Sequence, residues 1–461
     1  MRLEDPPGPV GIPLIGNMLE FRKDRMAFLI RAARTYGDVV HFRPGPFHAY
    51  LLNHPDHIRD VLVGRPAKFL KNRIQGWMVK PLLGKGMIIS NGEDHRRQRR
   101  AAQPAFAPKR IDGYCGMFVR HAEEAMKAWG TGGEYDIDTE MLRLAMKNLC
   151  EALFNANTAD ISKRAEEALP IAIELLTKDS ELWVPLPSWL PTRHNRKKKE
   201  VIRGLTDIAL SFADDWRKSG VDRGDLLSML MLARDEKGCP IAQAELRDHL
   251  VTMFAAGYET TAFTLIWAWI LIAQHPSVEA ALHAELDRVL GGRAPTAEDL
   301  PKLTYTSMVL KETLRLYPAA WVLALREPVE DVAIGGYRIR KGSFLFISPY
   351  IIQRDPRYFD DPERFDPERF SPNAEKEIPR GAYLPFGIGP RVCIGQSFSQ
   401  TEALLVLATL AQHYRVSVKP GQRLDPWGGL ALRPPAGVRV RITPRTSGAR
   451  AATETISSAP A

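Results

Sequence analysis

The chain has 461 residues, 45% of them hydrophobic and 25% charged, an ordinary globular balance that excludes whole-chain disorder and collagen-like or low-complexity scaffolds. At roughly 100–200 residues per domain, such a length makes two or three domains or one large one, with a core able to hold a bulky cofactor. Lys and Arg exceed Asp and Glu by 63 to 54, a net +9, which suits an acidic partner but does not single out nucleic acid, and none is expected.

The opening residues, MRLEDPPGPVGIPLIG, contain a proline cluster but no apolar h-region, so a secretory signal is not expected and the predicted setting is a reducing cytoplasm. Asp5 to Pro9 reads as a stiff extended entry. Val39 to Phe42 and Ala49 to Leu52, separated by Arg43-Pro44-Gly45-Pro46, read as a strand pair. Helical periodicity dominates from Pro55 to Gly291, as in AEEAMKAWG, TEMLRLAMKNLCEALF and RAEEALPIAIELLTK. No solenoid-type repeat interrupts it. The run Arg193 to Lys199 reads as a solvated helix start.

Leu250 to Ala273 is apolar enough for a membrane span of about 20 residues. Glu259 in its middle argues against that, because a carboxylate near a bilayer centre costs at least roughly 2.5–3.5 kcal/mol. The expectation is a helix buried all round in a soluble protein, with no transmembrane anchor. Beyond Gly291, a helix is predicted over Ala297 to Tyr317, stopped by Pro318. Val332 to Ile347 reads as short hairpins around Gly335-Gly336 and Lys341-Gly342. Pro349 to Pro390 is too apolar for a linker and is taken as an ordered meander. Gly395 to Tyr414 is the final long helix, and Pro435 to Ile442 is a strand. The fold class is mainly α with a smaller β part, one domain over residues 1–443 with a polar tail over 444–461.

None of the four cysteines, Cys115, Cys150, Cys239 and Cys393, lies in a C-x-x-C pair. A disulfide framework or zinc ribbon is therefore unsupported. Cys115, Cys150 and Cys239 read as small buried hydrophobes. Cys393 differs, because it sits in Phe386-Gly387-Ile388-Gly389-Pro390-Arg391-Val392-Cys393-Ile394-Gly395. The glycines let the backbone turn tightly and approach a flat ligand. The helix that follows aims its N-terminal amides at the sulfur, and Arg391 adds positive charge. Both favour the thiolate, the form that ligates metal.

This loop resembles the haem-binding loop of the cytochromes P450, the haem-thiolate monooxygenases, with Phe386, Gly387, Gly389, Arg391, Cys393 and Gly395 filling its defining positions. The resemblance implies a P450 fold, haem b (iron protoporphyrin IX) as cofactor, and Cys393 as axial thiolate ligand to the iron. Glu312-Thr313-Leu314-Arg315 then matches the family's E-x-x-R. Its third member, an arginine from the meander, falls on Arg369 of Pro367-Glu368-Arg369-Phe370, preferred over Arg364 of the similar Pro362 to Phe365 because it is nearer the cysteine loop. These three are structural.

Ala256-Gly257-Tyr258-Glu259-Thr260-Thr261 resembles the oxygen-activation motif, in which small residues open a groove in the helix. Splitting an O–O bond needs protons delivered into a water-poor pocket; a hydroxyl can hold water and a carboxyl can exchange protons with solvent. Glu259 and Thr260 are thus the expected catalytic pair, with Thr261 behind them. His95 and Arg99, one helical turn apart, match the family's propionate-binding pair, with His95 replacing a tryptophan. Arg326 and Arg391 supply two further propionate contacts. Arg96, Arg97 and Arg100 read as a solvated helix face, and Gln353 is given no site role.

The resemblance implies insertion of one atom of O2 into a small hydrophobic substrate, a terpenoid or fatty acid. The apolar Ala319 to Leu323 is expected to face the substrate. Electrons would come from a ferredoxin and ferredoxin reductase or another external reductase. A haem-thiolate isomerase or dehydratase, or a non-catalytic haem sensor, stays open beside this reading.

Overall fold

The computed structural model describes residues 3–154, 159–182, 189–233, 240–323, 325–434 and 436–445. The helix Gln243–Gln274 runs through the middle, buried over most of its 32 residues and continuously from Thr261 to Ile272. No amphipathic stripe is needed on a helix with neighbours on every side. Its polar Thr261 and Thr264 hydroxyls donate to the Gly257 and Thr260 carbonyls (3.3 and 2.9 Å), so burying them leaves no donor unmet. This central helix is also the one described helix long and apolar enough to cross a bilayer, and it is mostly buried inside the protein.

Around it pack the helices Ile137–Phe154, Arg193–Ser219, Thr304–Leu316 and Gln396–His413, the last of these also lying on Pro108–Trp129. They share one large apolar core, and two smaller cores lie on the opposite faces of the main sheet, built from alternate residues of its strands. That sheet has five strands in the order Val39–Phe42, Ala49–Leu52, Phe344–Ile347, Arg326–Pro328 and Phe69–Lys71. Val39 pairs with Leu52 in the antiparallel hairpin, and Ala49 pairs with Phe344 in parallel. A second sheet joins Gly133–Asp136, Arg439–Pro444 and Tyr414–Val418. Two small hairpins complete the β part, Val332–Ile334 with Tyr337–Ile339 and Trp427–Gly428 with Leu432–Arg433. The mainly α architecture with a smaller β part is the one expected.

Several boundaries differ from expectation. The predicted helix over Ala297 to Tyr317 is two elements, a 3-10 helix at Ala297–Lys302 and an α-helix at Thr304–Leu316. Pro301 is the reason, since it lacks the N–H that a continuous helix would require. The helical stretch also contains two strands, Phe69–Lys71 and Gly133–Asp136. Each is so short that its partner strand, far away in sequence, defines it. Phe344–Ile347 leaves the hairpin region to join the main sheet. The last strand is Arg439–Pro444 rather than Pro435 to Ile442. The basic run is solvated on one face only, because Lys198 is buried against Asp179 at 2.6 Å. Cys239 and residues 446–461 lie outside the described residues.

Candidate active site

Cys393 follows a 3-10 turn at Gly389–Arg391 and precedes the helix Gln396–His413. Its amide donates to the Phe386 carbonyl at 3.0 Å, which folds the loop back on itself. Gly389 has φ +76°, and a Cβ there would stand 2.2 Å from the Leu62 carbonyl oxygen, so only glycine fits. Cys393 is exposed, yet burial raises its thiol pKa. Both hold for a sulfur that faces an enclosed space inside the protein. The Gly395 amide and the charge of Arg99 act in the opposite direction, favouring the thiolate. In the protein alone burial outweighs them; a coordinated metal ion deprotonates such a thiol outright. The Arg99 guanidinium also donates to the Val392 carbonyl at 2.7 Å. Arg391 turns elsewhere, donating to the Ser90 carbonyl at 2.7 Å and to Asn91 Oδ1 at 3.2 Å.

Arg391 thereby enters a group of cations drawn from four parts of the chain. His95, on the helix Gly92–Ala102, is buried, and its pKa is pushed down to about 4 by burial and by Arg391, Arg99, Lys71 and Arg326. Burial, together with Arg391, lowers Arg326 to about 10. Burial lowers Arg391 likewise to about 10, with Arg99 adding to it. Lys71 is held well below the ordinary lysine range by burial, Arg326 and Arg391. Other cations of the group lower each of Lys71, His95, Arg326 and Arg391. Five basic side chains gathered this closely repel one another, and an anion between them relieves that repulsion. Two carboxylates of one ligand, beside a sulfur that can take iron, match the donor set that haem requires.

Lys71 is the member that the sequence did not reveal. It pairs with Arg326 across antiparallel strands, and its amide donates to Asn91 Oδ1 at 2.8 Å. The only signal available was a basic residue at the end of a three-residue strand. Arg96 and Arg97 are paired with Glu93 and Glu245 at 2.6 and 2.7 Å, and Arg100 lies 3.8 Å from Glu93.

On the central helix, Ala256 is exposed and Thr260, one turn later, is half-buried amid buried neighbours. Thr260 Oγ1 donates to the Ala256 carbonyl at 2.9 Å. Gly257 does not open that groove. A Cβ on it would lie 2.7 Å from Leu149 Cδ1, so its role is to let the helix Ile137–Phe154 approach closely. Thr261 is buried and shares a 3.0 Å hydrogen bond with Ser399 on the cysteine helix. Glu259 points to a different space, as adjacent helical residues do at about 100° per residue. It lines a pocket of about 210 Å³ together with Phe263 and Arg433. Burial raises its pKa to about 7, while Arg433 and the Tyr258 hydroxyl at 3.4 Å pull it down.

Glu312 and Arg315 are fully buried and joined twice, at 2.7 and 2.8 Å. Arg315 also donates to the carbonyls of Gln353, Pro362 and Arg364 at 2.8, 2.7 and 3.1 Å. Arg369 Nε lies 3.5 Å from Glu312 Oε1, whereas the nearest acid to Arg364 is Asp366 at 3.8 Å. Gln353, given no role beforehand, donates to the Leu314 and Arg315 carbonyls and accepts from the Leu384 amide at 2.9 Å. It thus ties the end of this helix to the segment entering the cysteine loop. Trp321 and Val322 of the apolar stretch after Pro318 line a separate, mainly apolar pocket of about 120 Å³ with Phe21, Ile74, Leu325 and Leu430.

The family model for Cytochrome P450 matches residues 6–440. Cyclooctatin synthase of Streptomyces melanosporofaciens is 40% identical over 427 residues, 92% of this chain and 92% of that protein. Pentalenene oxygenase of Streptomyces avermitilis is 33% identical over 441 residues, 95% and 97% of the two chains. Among solved structures, retinoic acid bound cyanobacterial CYP120A1 superposes with a TM-score of 0.85 at 25% identity, covering 96% of this chain and all of that one. An exposed cysteine in a glycine-rich loop, a cluster of cations beside it and likeness along nearly the whole sequence have one common explanation: the chain belongs to the cytochrome P450 family and is a haem monooxygenase.

Proposed function

We propose that this enzyme oxygenates an apolar cyclic terpenoid, using electrons delivered in the cytoplasm by a separate ferredoxin and ferredoxin reductase. The carrying observation is the exposed Cys393 beside the clustered cations Lys71, His95, Arg99, Arg326 and Arg391, which lower one another's pKa values. In this reading Cys393 binds the iron and the cations hold the two propionates. When bound, haem supplies the activation of dioxygen and the transfer of one of its atoms to substrate.

The protein's own part is placement and proton supply. The Thr260 hydroxyl holds water on the accessible face of the central helix, and Glu259 passes it protons from the other side. A carboxyl poised near neutral pH can both give up a proton and recover it. Glu312, Arg315 and Arg369 hold the meander beneath the cysteine loop. The pocket walled by Trp321, Val322 and Leu325 is mainly apolar, with Arg25 and Gln75 as its polar lining, which suits a hydrocarbon skeleton carrying few polar groups. The relatives' names, cyclooctatin synthase and pentalenene oxygenase, favour a terpenoid over a fatty acid and an oxygenase over an isomerase, dehydratase or sensor.

The purified enzyme is mixed with candidate cyclic terpenoids, ferredoxin, its reductase and dioxygen. Oxygenated product that disappears when either dioxygen or reductant is withheld is the expected result. Turnover without both would mark an isomerase or dehydratase. In Cys393→Ser the ferrous carbon monoxide complex is expected to lose the red-shifted band of thiolate ligation; retention of that band would place the ligand elsewhere.

A further inference from the structure

The helix Arg73–Leu83 forms one wall of the mainly apolar pocket of about 120 Å³. The first turn of this helix is tied down on several sides. Asn72 caps it, accepting from the Gln75 amide at 3.0 Å, and the Asn72 amide donates to the Leu325 carbonyl at 3.0 Å. The Glu327 carboxylate accepts from the Asn72 side chain at 3.2 Å and from the Arg73 amide at 3.1 Å. Gln75 lines the pocket from this turn and is half-buried, and its Oε1 accepts from the Leu325 amide at 2.8 Å. Only the oxygen of a carboxamide can meet an N–H, so the amide cannot be flipped and its NH2 end turns away from Leu325. The indole N–H of Trp321, also on the pocket wall, is engaged by the Gly429 carbonyl at 2.9 Å. Arg25, the first residue of the helix Arg25–Tyr36, carries the one charge among the described lining residues.

We propose that the Gln75 NH2 group determines specificity by donating to an oxygen already present on the substrate, so that the enzyme accepts a cyclic terpenoid alcohol or ketone. The inference rests on the terpenoid reading of this pocket and adds the polar group that the substrate must bring. A carboxamide N–H is uncharged, so it can face an apolar wall without drawing a counter-ion into it. Its direction is set before binding by the Leu325 amide and the tied helix turn, so little order has to be imposed when the ligand arrives. A bound skeleton covers Gln75, and a covered donor with no oxygen opposite it is left unpaired. That is how a site built to hydrogen-bond an oxygen discriminates against the analogue lacking one. An oxygen anchored at Gln75 also fixes one end of a rigid skeleton and leaves the rest of it for attack. By its chemistry, the reaction that supplies such a substrate must itself place oxygen on the hydrocarbon, either a cyclisation ended by capture of water or an earlier oxygenation.

Ligand binding to the ferric haem enzyme, read from the shift of its absorption band, tests this without turnover. The probes are hydrocarbon, alcohol and ketone of one skeleton: menthane, menthol and menthone; bornane, borneol and camphor; isolongifolane, isolongifolanol and isolongifolanone. In Gln75→Leu the alcohols and ketones are expected to bind about three- to tenfold more weakly than in the wild type, the value of one hydrogen bond. The hydrocarbons should bind as before or more tightly. Gln75→Glu keeps an acceptor for the Leu325 amide but has no NH2. Ketones, which can only accept, should bind this variant as weakly as they bind Gln75→Leu, whereas alcohols, which can donate to a carboxylate, should lose less. Equal weakening of hydrocarbon, alcohol and ketone in Gln75→Leu would mean that Gln75 merely holds Leu325 in place, and would overturn the inference. Unchanged binding of all three would overturn it too. If no member of any set shifts the wild-type band, the terpenoid reading itself fails, whatever the Gln75 variants show.

Discussion

Lys71 carries a charge that its surroundings resist. Burial and the neighbouring Arg326 and Arg391 all push its pKa down, so the site is short of negative charge in the protein alone. A haem propionate would relieve that deficit, and the neutral variant Lys71→Met should weaken the relief. Losing one charge-assisted contact of roughly 1.5–3 kcal/mol corresponds to haem binding looser by about ten- to hundredfold, read by the rate of haem transfer to apomyoglobin. Transfer at the wild-type rate would remove Lys71 from the propionate set. Thr260→Ala should leave haem binding intact but divert electrons to peroxide, because water is no longer held on the accessible helix face. Product and peroxide yields per electron measure this, and tightly coupled turnover would refute the role. Cys393 was legible because its loop carries glycines, arginine and helix start within ten consecutive residues. Lys71 was not, because Arg326 and Arg391 reach it only through strand pairing and the shared Asn91.

The same contrast holds for whole elements. The central helix could be read from its apolar length and its one acid, and the strand pair at Val39–Phe42 and Ala49–Leu52 from the turn between them. The strand Phe69–Lys71 could not, since three residues carry no period and the pairing with Arg326–Pro328 alone makes them a strand. Glu-x-x-Arg was visible as a pattern, but the weight of its two sides was not. Arg315 is fully buried and donates to one carboxylate and three carbonyls. Arg369 is more accessible and approaches Glu312 only at 3.5 Å. Arg315→Ala should therefore cost about 3–5 kcal/mol, the penalty for stranding a buried partner. Arg369→Ala should cost about 1–2 kcal/mol. Urea unfolding distinguishes them, and equal losses would mean that Arg369 carries the element as much as Arg315 does.

Over the molecule as a whole, buried titratable groups set a pH range for stability. Glu402 on the cysteine helix is raised by burial to about 8, against the Asn148 amide, which donates to it at 2.8 Å. Asp138 is raised by burial to about 7. For both, the folded state holds a proton that the unfolded chain releases, the ordinary values being 4.5 and 3.8. Their stabilisation is full below those values and is lost as pH rises through the folded ones. His41 and His283 are lowered to about 4, mainly by burial. Their stabilisation is present above the ordinary histidine value of 6.5 and is lost as pH falls through 4. Above pH 6.5 these histidines contribute no slope, so the two carboxyls should make the thermal midpoint fall between pH 6.5 and 8. Glu402→Gln keeps the shape and the acceptor for Asn148 but has no proton to lose. The variant should match the wild type near pH 4, below the ordinary carboxyl value, and overtake it by a growing margin up to pH 8, since each pH unit of withheld ionisation is worth about 1.4 kcal/mol. If the two melting curves stay parallel from pH 5.5 to 8, Glu402 is ionised in the folded enzyme throughout that range, and the burial of its carboxyl does not hold the proton on.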